Sequence, residues 1–156
     1  MDIAQLRKDF TVFVVDKDPA AAQSLAETLH STGYEKARAF ASLEAIVATV
    51  TEDPPHILLL ALGAAGSETE DLLTELLRVS PETLTILMTQ QSDASAETGY
   101  MQALSLVSRA LAYDMVSLPF VSMIEVVQKL DRAASQLYYQ FESEHVRRVR
   151  LAHTPD

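Results

Sequence analysis

Phe10-Thr11-Val12-Phe13-Val14-Val15-Asp16-Lys17-Asp18-Pro19 is the stretch that decides the fold. Its first six residues are apolar or β-branched without alternation, as in a strand buried on both faces of a parallel sheet. The run stops at Asp16. Asp18-Pro19 then opens a helix, since aspartate suits a cap and proline the first helical position. Leu25 and Leu29 follow at helical spacing, and Gly33 stops the helix. A buried strand leading directly into a helix is the repeating unit of an α/β domain.

The same alternation runs on down the chain. Tyr34 to Phe40 reads as a second, more polar strand, suited to an edge. Ser42 caps a short helix carrying Leu43, Ile46, Val47 and Val50, which Pro54-Pro55 ends. Ile57 to Leu62 is the most apolar strand. Gly63 to Gly66 forms a loop, and Ser67 begins a helix bearing Leu72, Leu73, Leu76 and Leu77, with Glu70 as capping-box partner. Leu84 to Thr89 is the fourth strand, a helix lies around Tyr100 to Leu111, and Tyr113 to Leu118 is the fifth strand. Pro119 begins a last long helix reaching about Arg150. Five strands alternating with five helices imply a doubly wound, flavodoxin-like parallel sheet of order 2-1-3-4-5. One domain accounts for residues 1–156, with its core over about 10–129.

Composition narrows the function classes. The chain is 48% hydrophobic with a formal net charge of −10, a balance that disfavours nucleic acid and anionic membranes. Cysteine is absent, which excludes disulfides and thiolate chemistry and suits a reducing cytoplasm. Met1 to Phe10 carries four charges and no apolar core of a leader, and Ile57 to Leu62 is too short to span a bilayer. A soluble, cytoplasmic protein is expected. His30, His56, His145 and His153 lack ligand spacing, and no nucleophile elbow or Walker loop is present, so neither metal, cofactor nor enzymatic activity is expected.

Four strand-end pieces, Val14 to Pro19, Leu58 to Ala61, Ile86 to Thr89 and Ser117 to Phe120, occur in order at matching spacing. Together they resemble the receiver domain of two-component response regulators over about Phe10 to Lys129. The resemblance implies an acidic pair after the first strand that holds Mg²⁺; here Asp16 fills the first place and Lys17 the second. It implies a phosphoacceptor aspartate at the end of the third strand, where this chain has Ala61. The hydroxyl residue of the fourth strand is kept as Thr89. The lysine before the proline of the fifth strand is replaced by Leu118, and the switch aromatic by Met115.

The chemistry of these changes stands without the family. An acyl phosphate needs a carboxylate nucleophile, and alanine has no functional group. A hard divalent cation needs several anionic oxygens, whereas Asp16 beside Lys17 sums to zero. The Lys17 ammonium can stand in the place of that cation. Leucine cannot pair with a phosphoryl oxygen. No carboxylate occurs between His56 and Gly66, so sliding the register does not restore one. The blander reading of the acids is that Asp16 accepts backbone hydrogen bonds and Asp18 caps the helix.

The resulting expectation is a pseudo-receiver that signals by protein contact. The last helix, at about 1.5 Å per residue, is longer than a domain of this size covers. Val127, Leu130, Ala134, Leu137 and Phe141 continue an apolar spacing along it. Tyr113, Val127, Leu130, Leu137, Tyr138 and Phe141 are the expected surface for a homodimer or a partner signalling protein. Arg147, Arg148 and Arg150 suit the helix C-terminus through its dipole. Two other classes stay open: a sensor of a small ligand or anion in the vacated pocket near Asp16, Lys17, Ala61 and Thr89, and a flavodoxin-like enzyme or cofactor carrier.

Overall fold

The computed structural model describes residues 2–49, 52, 54–62, 69–90, 96–118 and 123–152, with side chains of the last helix described as far as Phe141. The five strands are β1 (Val12–Val15), β2 (Ala37–Phe40), β3 (Ile57–Ala61), β4 (Leu84–Gln90) and β5 (Asp114–Leu118). They form one parallel sheet in the order β2-β1-β3-β4-β5, as the sequence implies. The helices are α1 (Ile3–Asp9), α2 (Pro19–Ser31), α3 (Leu43–Thr49), α4 (Thr69–Val79), α5 (Ala96–Ser108) and α6 (Met123–Ala152).

Side-chain alternation divides the core into two layers. Val12, Val14, Ile57, Leu59, Ala61, Ile86, Met88 and Val116 face α1, α2 and α6, where Ala22, Ala26, Leu29, Leu130, Ala134 and Leu137 meet them. Phe13, Val15, Leu58, Leu60 and Leu87 face α3, α4 and α5, where Leu43, Ile46, Leu73, Leu76, Ala103 and Leu106 are buried. Burial on both faces is why β1 and β3 read as unbroken apolar runs.

Local chemistry sets the helix ends. The Asp18 carboxylate accepts the Ala20 N–H at 3.0 Å with Pro19 at the first position. Gly33 ends α2 at φ +109°, a conformation that side chains rarely adopt, and this lets the Tyr34 N–H return to the Leu29 carbonyl at 3.0 Å.

Two departures from the sequence expectation are linked. The first is α1: Asp2 caps it by accepting the Ala4 N–H at 3.0 Å, and Ile3, Leu6 and Phe10 turn one apolar stripe inward. The second is α6. Its 30 residues make it about 45 Å long, yet Leu130 and Leu137 are buried, at 0% and 1% exposure. These two residues are therefore core, not part of a partner surface. They share the core layer of the sheet, and α6 packs against both β3 and α1. Tyr138 and Phe141 pack half-buried against the same core, and Val127 and Tyr113 are half-buried, so the core runs beyond residue 129. Gly63 to Ser67, Pro119 and Phe120 lie outside the described residues. Among those described, no helix is long and apolar enough to cross a membrane.

Candidate functional site

In an open parallel sheet the carboxyl ends of the strands and the loops beyond them form the natural site. The register brings the sequence-singled positions together there. Val15 pairs with Leu60, so the next residues, Asp16 and Ala61, leave adjacent strands at the same level. Ala61 in turn pairs with Met88, and Thr89 with Ser117. The Leu118 backbone pairs with Gln90 at the end of β5, while its side chain lies outside the described part.

The groups at this end are occupied with the chain itself. The half-buried Asp16 accepts the Asp18 N–H through Oδ1 at 3.0 Å, and its own N–H donates to the Phe40 carbonyl at 3.2 Å. Both acids thus hold the turn and the helix start, as the blander reading has it. Lys17 is exposed and, among the described residues, makes no ion pair with Asp16. The Ala61 methyl is 7% exposed and belongs to the α2/α6 core layer. Thr89 is buried, and its hydroxyl donates to the Val116 carbonyl at 3.4 Å. Met115 is half-buried on the opposite layer. Among the described residues no group of three or more His, Asp or Glu is arranged to hold a metal ion. The described part of this end therefore offers one half-buried carboxylate, engaged by a backbone N–H.

Polar chemistry is denser on the other side of the fold, where sequence reasoning placed none. Asp131 of α6 takes a bidentate hold of Arg7 on α1, at 3.0 Å to Nε and 2.6 Å to Nη2. Its Oδ1 also accepts the Tyr34 hydroxyl at 2.6 Å. The hydrogen bond to Asp131 lifts the Arg7 guanidinium further above its ordinary value. Burial, then the same carboxylate, pushes the Tyr34 hydroxyl well up, so it remains a donor. Nearby, Lys129 of α6 pairs with Asp114 of β5 at 3.1 Å. These contacts fasten α6 to the body around residues 129 to 131. The α1 half of this network had a readable signal, the Asp2 cap and the 3, 6, 10 apolar spacing, masked by the surrounding charges. The partner of Asp131 lies 124 residues away, and no local pattern announces it.

No protein-family model and no curated protein matches the sequence. Solved structures do. The chain is similar to an adenylate cyclase from Rhodopirellula baltica, with 16% identity and a TM-score of 0.74 over 92% of this chain and 98% of that one. It is similar to a CheY-like response regulator receiver domain protein from Methanospirillum hungatei, with 17% identity and a TM-score of 0.69 over 84% and 98%. It is also similar to NtrX from Brucella abortus in complex with ATP, with 18% identity and a TM-score of 0.71 over 88% of this chain. It spans 29% of that NtrX chain. Identities this low speak for architecture, and the architecture held in common is the one seen in receiver domains.

Proposed function

We propose that this chain is a signalling module of the two-component type that acts by contact with a protein partner and accepts no phosphoryl group. The observation that carries the reading is Ala61, a buried residue with no functional group at the end of the central strand, where the receivers it resembles carry the phosphoacceptor. The exposed Lys17 and the leucine at position 118 support it, because the counter-charges that phosphoryl transfer requires are missing as well. The module has no catalytic role of its own and works in the cytoplasm.

The contact surface lies around edge strand β5 and its flanking helices. With Leu130 and Leu137 assigned to the core, the large apolar groups exposed among the described residues are Met101 and Leu104 on α5 and Ile124 and Tyr139 on α6, the last two 67% and 57% exposed. Tyr113, Val127, Tyr138 and Phe141 are half-buried. Apolar side chains left this open are what interfaces are built from. Self-association in sedimentation experiments is expected to be the same with and without acetyl phosphate and Mg²⁺. Ile124→Glu together with Met101→Glu is expected to weaken it at least about ten-fold. Association that appears only with the phosphodonor contradicts the reading, as does a monomer at the highest attainable concentration that binds no signalling partner.

A further inference from the structure

One titratable ring outside the strand-end pocket sits where α1 joins the sheet. The backbone of His56, just before β3, is fixed between β1 and β4: its N–H donates to the Thr11 carbonyl at 3.0 Å, and its carbonyl accepts the Leu84 N–H at 3.0 Å. Its ring stacks on Phe10, with centroids 4.5 Å apart and planes 13° from parallel. Its Nδ1 accepts the Thr11 N–H at 2.9 Å. Phe10 is the C-terminal cap of α1, and Thr11 leads from it into β1. The ring therefore grips the hinge between the helix and the strand.

We propose that α1 is a releasable strap over α6 and that protonation of His56 releases it. A nitrogen that accepts a backbone N–H cannot take up a proton without setting donor against donor. The protonated ring turns from Thr11, and Phe10 loses its stacking partner. What still holds α1 is the Arg7 bridge to Asp131, the 3.4 Å bonds from Arg7 to the Thr32 carbonyl and from Lys36 to the Asp9 carbonyl, and the side chains of Ile3 and Leu6 against the core. A helix of seven residues depends on its packing to persist, so loss of the Thr11 bond and the Phe10 stack shifts it toward release. Its departure uncovers the part of α6 against which it packs. His30 provides the contrast: its Nε2 lies 2.7 Å from the Ala37 carbonyl and must donate, so a second ring proton does not oppose that bond.

The charges around the ring set the sign. Burial and Lys36, on the approach to β2, hold the His56 pKa below its ordinary 6.5, and Glu82, before β4, opposes them. On α1 the Asp9 carboxylate is engaged by Gln5 at 3.0 Å, and its carbonyl by Lys36 at 3.4 Å. The fastened state holds the neutral ring, and the released state titrates at the ordinary value. Fastening is thus at full strength above about pH 6.5, weakens as pH falls through that value, and levels off below the depressed pKa. One unit below the ordinary 6.5, release rises by up to about ten-fold.

Amide exchange of the full chain at about pH 7.5 and about pH 5.5, corrected for intrinsic rates, tests this. Leu6 and Phe10 in and beside α1 are expected to lose up to about ten-fold protection at the lower pH while Val14 and Leu59 keep theirs. His56→Gln, which can still accept the Thr11 N–H and does not titrate, is expected to hold α1 equally at both values. Should that variant not fold, the ring resonances of His56 in the unmodified chain serve instead, and they must titrate together with the α1 amides. Equal α1 protection at both pH values overturns the proposal. So does loss in step with the sheet, equal loss in the glutamine variant, or a ring that titrates while α1 stays fixed. The readout is α1 itself, so the outcome is independent of whether the chain binds a signalling partner.

Discussion

Asp131→Ala is expected to lower stability by about 3 kcal/mol, a fall of roughly 6–12 °C in Tm for a chain of this length. The carboxylate is the shared acceptor of a bidentate arginine and a fully buried tyrosine hydroxyl. Its loss leaves the Tyr34 hydroxyl stranded, while the Arg7 guanidinium keeps its bond to the Thr32 carbonyl and access to water. The bridge itself is only about three-quarters sheltered, with side-chain exposures of 27% and 20%, so its Coulombic part is modest. Most of the effect comes from the stranded tyrosine hydroxyl. Adding Tyr34→Phe to Asp131→Ala is therefore expected to recover about 1 kcal/mol, although Tyr34→Phe alone destabilises. Denaturant unfolding of the four proteins of this cycle measures both terms. A loss below about 1 kcal/mol in the single alanine variant contradicts the shared-acceptor role.

Ala61→Asp is expected to destabilise the fold by about 2–3 kcal/mol and still to yield no acyl phosphate. A carboxylate at this position enters a layer of apolar side chains, paired across the sheet with Met88 and level with Asp16. It gains a neighbouring negative charge and no buried cation, since Lys17 is exposed and position 118 carries leucine. Adding Leu118→Lys is expected to restore part of the stability by supplying an ammonium at the end of β5. Adding Lys17→Asp as well supplies the missing metal ligand, and only this triple variant is expected to react with a phosphodonor in the presence of Mg²⁺. Reaction of the single variant contradicts the view that three separate requirements are unmet. Full stability of the single variant contradicts the burial of that methyl.

The sheet was legible because its information is local. Ile57 to Ala61 has no polar residue, and Asp18-Pro19 and Gly33 punctuate α2 within a few positions of where the chain turns. The strand-end site was legible for the same reason: a parallel sheet brings residues 16, 61, 89 and 118 to one end whatever lies between them. What escaped was decided by partners distant in sequence. Leu130 and Leu137 carry helical spacing that fits a partner's surface as well as the domain's own core, and only the packing of α6 against the sheet and α1 settles which. Asp131 looks like any exposed helix acid until Arg7 and Tyr34 arrive from 124 and 97 residues away. His56 looked like one of four scattered histidines, and its role follows from a register that puts Thr11 opposite its ring.

Whether this molecule has lost the chemistry of a phosphorylated switch comes down to a covalent bond that either forms or does not. Incubation of the unmodified chain with acetyl phosphate and Mg²⁺, followed by intact-mass measurement, is expected to leave the mass unchanged. The addition of one phosphoryl group would mean that some carboxylate other than the absent one at position 61 accepts it, and the reading of a contact-driven module would fall.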